Sequence, residues 1–130
     1  MTTALVCIGL LGLLLFGLGL AVSLFRGRTQ TLIGHSIDPT DTLHKLVRAH
    51  ANTAEYVGVL AVLIWLAGSR SPSTWGSICI IGATLSRYLL AAGIVFGATL
   101  DKPHPLRFLG ALFTYVFGIA MSLSLIQSLF

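Results

Sequence analysis

Charged side chains are scarce in this sequence. Asp, Glu, Lys and Arg make up 9% of its 130 residues, whereas 55% are hydrophobic and the mean hydropathy is +0.92. An ordinary soluble domain contains about 25% charged residues, so this composition argues against a water-soluble fold. The length limits the chain to one domain. We therefore expect a single domain, residues 1–130, that folds in a lipid bilayer.

Basic and cysteine residues are also few. The eight Lys and Arg residues are dispersed, and no basic run can follow a phosphate backbone, which argues against a nucleic-acid partner. Cys7 and Cys79 lie singly in apolar stretches without a CxxC motif, and this pattern predicts free, packed thiols. His35, His44 and His104 lack the spacing of metal ligands. The sequence therefore predicts no metal site.

Four long apolar segments dominate the chain, at residues 4–25, 43–67, 75–98 and 106–129. About 20 helical residues cross the hydrocarbon core of a bilayer, so each segment is long enough to span it. A single span in lipid must satisfy its own backbone hydrogen bonds, which favours helices. The sequence predicts an all-α, integral membrane four-helix bundle.

The distribution of basic residues predicts an orientation. The second connection contains only Arg70, and the N-terminus contains no Lys or Arg. The first and third connections and their ends carry five basic residues: Arg26, Arg28, Lys45, Lys102 and Arg107. By the positive-inside rule, we expect both termini outside and the first and third connections in the cytoplasm.

Small residues recur on single helical faces. Such stripes let membrane helices approach closely, so we expect a tight bundle that forms an oligomer. The stripes are Gly9, Gly12, Gly19 and Ser23 in the first helix, Gly82, Ser86, Gly93 and Gly97 in the third, and Gly110, Ala111, Thr114 and Gly118 in the fourth.

Ionisable side chains inside the spans are the most informative feature. Arg48, Asn52 and Glu55 share one face of the second helix, Arg87 lies near the middle of the third, and Arg107 is in the first turn of the fourth. A charge at the centre of a membrane helix costs about 2.5 to 3.5 kcal/mol on insertion scales. Such residues therefore face the bundle interior and have partners.

Two interpretations of these residues are open. They can be structural, an interhelical ion pair with added hydrogen bonds, or they can form a binding cavity. Three arginines against Glu55 leave a net charge of +2, and unpaired buried cations stabilise a bundle poorly. The charge balance favours a cavity for an anionic ligand that enters from the cytoplasm.

The second span also carries a recognisable motif. The run RAHANTAE at residues 48–55 resembles the RAHxNxxE signature of the MAPEG family, the membrane-associated proteins in eicosanoid and glutathione metabolism. Arg87, Ala91 and Gly93 resemble the family's RxxxAxG pattern in the third helix, and residues 105–114 resemble its PxRxxGxxxT pattern in the fourth. The resemblance covers nearly the whole chain and is closest to the short bacterial members.

The resemblance implies a homotrimer in the bacterial inner membrane, with glutathione bound between neighbouring subunits and open to the cytoplasm. Family members studied as enzymes use the glutathione thiol for conjugation, peroxide reduction or isomerisation of lipid substrates. The resemblance also implies that Arg107, the candidate catalytic residue, lies near the glutathione sulfur. The positions that correspond to glutathione-binding residues are Arg48, Asn52, Glu55 and Arg87, with Arg26 or Arg28 reaching a carboxylate.

Some features depart from the family pattern and leave alternatives. Ile94 and Ala111 stand where some family members have tyrosines, so a non-catalytic protein that binds glutathione, a lipid or another anion is the second hypothesis. Tyr56, Tyr88 and Tyr115 are expected to serve packing or an interface. A small multidrug antiporter is the third hypothesis, which the absence of charge in the first span and the cationic cavity disfavour.

Overall fold

Four long helices make up the architecture of the part of the chain that the structure describes. The structure is a computed structural model that describes residues 1–70 and 72–128. The helices are α1 Thr2–Thr29, α2 Thr42–Ser69, α3 Thr74–Val95 and α4 Pro105–Gln127. Each is long and apolar enough to cross a membrane. The predicted all-α four-helix fold is confirmed.

The ends of α1 and α3 differ from the predicted spans. α1 continues past residue 25 to Thr29, so Arg26 and Arg28 lie in its last turn, where their charges favour the C-terminal carbonyls. Gln30 then closes the helix in the left-handed conformation. At the other extreme, α3 ends at Val95, three residues before the end of its apolar segment.

Side-chain caps start two of the helices. The Asp41 carboxylate accepts a hydrogen bond from the backbone N–H of His44 at 2.7 Å, which fixes the first turn of α2. The Ser73 hydroxyl oxygen accepts from Gly76 N at 3.2 Å at the start of α3. α4 begins with Pro105. Proline is tolerated in the first turn because the backbone nitrogens there donate no hydrogen bond within the helix.

The apolar core lies in the half of the bundle away from the first and third connections. It contains residues from all four helices, among them Leu11, Ile64, Ile80 and Met121. Cys7 and Cys79 are buried in the same cluster with free thiols, as predicted.

Small residues bring α3 and α4 into close contact. A Cβ atom added at Gly110 would lie 2.5 Å from Leu90 N, which leaves no room for a side chain. The Ser86 and Thr114 hydroxyls are 3.2 Å apart across the same interface. The predicted stripes of α3 and α4 therefore pack against each other. In α1, by contrast, a Cβ atom added at Gly9 would have no neighbour within 4 Å among the described residues.

The first and third connections meet at one end of the bundle. Leu100 N donates to Pro39 O at 3.0 Å, which joins the two connections directly. The buried Lys45 ammonium donates to Gly97 O at 3.1 Å and to Ala98 O at 3.4 Å. These hydrogen bonds hold the start of α2 against the chain that follows α3.

Candidate functional site

A cavity of about 580 Å³ lies between α2, α3 and α4 and opens where the first and third connections meet. Its floor reaches Arg87 and its mouth is formed by His44, Leu100 and Pro103. We call it the arginine cavity. Its lining consists of His44, Arg48, Asn52, Tyr56, Arg87, Leu90, Ile94, Leu100, Pro103, Arg107, Phe108, Ala111 and Tyr115.

Arg87 is a buried cation with uncharged hydrogen-bond partners. Its side chain is 1% exposed, and Nη2 donates to the backbone oxygen of Asn52 at 2.9 Å and to its Oδ1 at 2.8 Å. Among the described residues, Nε has no hydrogen-bond partner. Burying a cation without a counter-charge is costly, so the site favours an anion beside this guanidinium.

Arg107 lies at the mouth of the arginine cavity. Its Nη1 donates to Leu100 O at 3.0 Å and to Lys102 O at 3.3 Å, so the third connection orients the guanidinium. Arg48 lines the wall across from it on α2. The described lining thus has three arginines and no carboxylate, which makes the cavity strongly cationic.

Glu55 lies outside the arginine cavity. It lines a neighbouring groove of about 320 Å³ between α2 and α4, which we call the α2/α4 groove. Tyr56 and Tyr115 line both spaces, so the groove adjoins the cavity at these two residues. The structure therefore joins Arg48, Asn52, Arg87 and Arg107 in one cavity and puts Glu55 in the groove beside it. The other groove residues are Val59, Leu60, Leu63, Thr114, Gly118, Ile119 and Ser122.

Arg26 and Arg28 are separate from the arginine cavity within one subunit. Arg26 donates through Nη1 to Leu32 O at 2.7 Å, and neither residue belongs to the described cavity lining. His50 lies outside the described cavity lining and packs against α1, since a Cβ added at Gly19 would lie 3.2 Å from its Nε2.

Two tyrosines in the cavity were not predicted as site residues. The Arg87 guanidinium lies 5.0 Å from the centre of the Tyr56 ring, a cation–π contact. The Tyr56 hydroxyl donates to the Tyr115 hydroxyl at 3.5 Å. The sequence contains a signal for these tyrosines. Tyr56 is four residues after Asn52 and Tyr115 is four after Ala111, and residues four apart are neighbours on the surface of a helix.

Polar side chains of the first connection reach the cavity mouth. His44 Nδ1 lies 3.0 Å from His35 Nδ1 and 2.8 Å from Ser36 O, which places the two imidazoles edge to face. Nearby, Asp38 Oδ1 accepts hydrogen bonds from Thr40 N at 2.8 Å and Thr40 Oγ1 at 2.7 Å. These hydrogen bonds, the backbone one foremost, hold the pKa of Asp38 below its ordinary value.

Four apolar spanning helices around a cationic cavity define an integral membrane protein with an internal polar site. Comparison with known families is more specific. The MAPEG family matches residues 4–127, nearly the whole chain, and the chain belongs to this family. Comparisons with curated proteins and with solved structures found no significant match.

Proposed function

We propose that this protein is a glutathione-dependent membrane transferase or peroxidase that acts on hydrophobic electrophiles or lipid hydroperoxides. The observation that carries the proposal is Arg87, a buried cation with neutral partners on the wall of a cavity that also contains Arg48 and Arg107. Family membership supports glutathione as the cosubstrate.

Glutathione matches the charge of this site. It has two carboxylates and one ammonium, so its net charge is −1 as a thiol and −2 as a thiolate, and an arginine-lined cavity complements both. A cationic, partly dehydrated environment favours the ionised thiol. Because the thiolate is the nucleophile, stabilising it is the central catalytic contribution of the protein.

Each polar residue has a proposed role. Arg48 and Arg87 bind glutathione carboxylates, and the Asn52 amide N–H₂ is left to donate to the ligand because its oxygen already accepts from Arg87. Glu55 binds the ammonium from the α2/α4 groove, beside Tyr56 and Tyr115, which line both the groove and the cavity. Arg107 stabilises the sulfur, and the carbonyls of the third connection orient it for that role.

We further propose that the active assembly is a homotrimer in the bacterial inner membrane, with the arginine cavity open to the cytoplasm. In this arrangement, Arg26 or Arg28 from a neighbouring subunit completes the glutathione site. Their position at the end of α1, outside the cavity of their own subunit, supports a contribution across an interface.

The direct test uses the protein purified in detergent with glutathione and chlorodinitrobenzene. We expect saturable glutathione binding, a rise in thiolate absorbance, and conjugation whose kcat/KM falls at least ~100-fold in Arg107→Ala, within the range typical for loss of a transition-state charge stabiliser. Arg70→Ala is the matched control, because Arg70 lies at the opposite end of the bundle. Equal rates in wild type and Arg107→Ala would remove Arg107 from the mechanism.

A non-catalytic binding protein is the second candidate. Ile94 and Ala111 line the arginine cavity and offer no hydroxyl to a thiol, which favours this alternative. It predicts saturable binding of glutathione, a lipid or another anion, with no turnover of electrophiles or hydroperoxides. Measurable conjugation or peroxide reduction by the wild-type protein would exclude it.

A further inference from the structure

Tyr115 occupies the boundary between a polar and an apolar space. It lines both the arginine cavity and the α2/α4 groove, and its side chain is 50% exposed. The hydrogen bond with Tyr56 is donated by the Tyr56 hydroxyl. The proton of the Tyr115 hydroxyl therefore remains available to a ligand.

The threonine and serine hydroxyls of the α2/α4 groove are engaged by their own helix. Thr114 Oγ1 donates to Gly110 O at 2.7 Å, and Ser122 Oγ donates to Gly118 O at 2.8 Å. Tyr115 thus differs from them in having a hydroxyl proton to offer to the groove.

The walls of the groove are suited to a hydrocarbon chain. Val59 and Ile119 are 65% and 60% exposed on them, Leu63 adds to the apolar surface, and Glu55 is the one charged residue of the described lining. An apolar molecule dissolved in the bilayer can enter such a groove without passing through water. Its polar end would then meet Tyr115.

Arg107 and Tyr115 line the same cavity from one helix. The two residues are eight positions apart on α4, a rise of about 12 Å. A glutathione sulfur beside Arg107 and a peroxide group beside Tyr115 can therefore lie one after the other along this cavity.

We propose that the α2/α4 groove binds the hydrocarbon part of an organic hydroperoxide and that Tyr115 donates a proton to its leaving oxygen. This inference rests on the proposed function and selects peroxide reduction as a reaction of the site. The glutathione thiolate attacks the terminal oxygen, the O–O bond breaks, and a sulfur–oxygen bond forms to give glutathione sulfenic acid. The departing alkoxide takes the Tyr115 proton and leaves as the alcohol.

The remaining steps return the site to its starting state. The thiol of a second glutathione gives its proton to the Tyr115 oxygen, and the resulting thiolate attacks the sulfur of the sulfenic acid. The sulfur–oxygen bond breaks and hydroxide leaves. The hydroxide becomes water by taking the proton that the first glutathione released when it ionised. The products are the alcohol, glutathione disulfide and water. Tyr56, which lies against Arg87, donates to the Tyr115 oxygen and stabilises it while it is deprotonated.

The test compares two substrates in the intact, detergent-purified protein. Cumene hydroperoxide loses an alkoxide that needs a proton, whereas chlorodinitrobenzene loses chloride, which does not. In Tyr115→Phe, we expect the ratio of the peroxidase rate to the conjugation rate to fall at least ~10-fold, because a positioned general acid contributes factors of about 10² or more. Tyr88→Phe is the matched control, since the Tyr88 hydroxyl donates to Leu10 O outside the cavity and the groove.

A second variant tests the groove separately. Ile119→Trp adds bulk to an exposed wall position, and we expect it to raise KM for cumene hydroperoxide several-fold more than KM for glutathione. An unchanged rate ratio in Tyr115→Phe, or an equal loss of both rates, would overturn the inference while leaving the proposed function intact. Absence of both activities in the wild-type protein would instead overturn the proposed function.

Discussion

At the scale of single residues, the sequence groups the cations that line the arginine cavity but leaves out its two tyrosines. Arg48, Asn52, Arg87 and Arg107 could be grouped because charged groups in a span must face the interior. A helical wheel treats a face as a line parallel to the helix axis. The cavity instead follows the row His44, Arg48, Asn52 and Tyr56 on α2, and rows of residues four apart run at an angle to the axis. That inclination brings in Tyr56 and leaves Glu55 beyond it.

A substitution of Arg87 distinguishes a structural role from a binding role. In Arg87→Met, the cost of burying an uncompensated cation disappears, so we expect the ligand-free Tm in detergent to stay close to that of the wild-type protein. The increase in Tm that glutathione gives the wild type should be lost, since ligand binding stabilises only a protein that binds it. A large fall in the ligand-free Tm would support the structural interpretation.

At the scale of helices, apolar length predicts the number of elements better than their ends. Phe96, Gly97 and Ala98 continue the apolar segment of the third span, yet α3 ends at Val95 and the carbonyls of Gly97 and Ala98 accept hydrogen bonds from Lys45. Hydropathy does not show that the chain leaves the helix here and that two of its carbonyls accept hydrogen bonds from Lys45 instead. The pairing of the small-residue stripes of α3 and α4 was foreseeable, because both stripes need a close neighbour.

The glycines of α4 and α1 should respond in opposite ways to alanine. Gly110→Ala forces a Cβ to within 2.5 Å of Leu90 N, so we expect a destabilisation of about 1 to 3 kcal/mol, typical of an overpacked core. Gly12 has nothing within 4 Å among the described residues, and Gly12→Ala should be neutral or stabilising by up to about 1 kcal/mol. Thermal unfolding in detergent measures both, and a lower Tm for Gly12→Ala would indicate that this face packs in the assembly.

At the scale of the whole molecule, the sequence predicts that the first and third connections lie on one side of the bundle but does not predict the groove beside the cavity. The alternation of four spans puts those connections at one end, and the bond between Leu100 and Pro39 is consistent with that topology. The α2/α4 groove depends on how far two helices diverge, which follows from packing among all four. Composition alone does not contain that information.

Mixed assemblies of two variants test the proposal that neighbouring subunits of a trimer share a site. Arg107→Ala and the double variant Arg26→Ala/Arg28→Ala should each be inactive alone. When they are co-expressed, some sites combine an intact Arg107 with intact α1 arginines from a neighbour, so we expect part of the conjugation activity to return. Co-expression of Arg107→Ala with Arg48→Ala is the control without recovery, because both residues line one cavity. No recovery in the first mixture would contradict a shared site.

The sideways opening of the α2/α4 groove affects how turnover should be measured. Val59, Tyr115 and Ile119 are exposed in the single subunit, on α2 and α4, two of the helices long enough to span a membrane. A substrate that enters there is dissolved in the membrane. Its mole fraction in the membrane, rather than its molarity in the whole sample, therefore sets the occupancy of the groove. Adding inert phospholipid at constant total hydroperoxide should therefore slow the reaction by surface dilution, while the dependence on water-soluble glutathione stays the same.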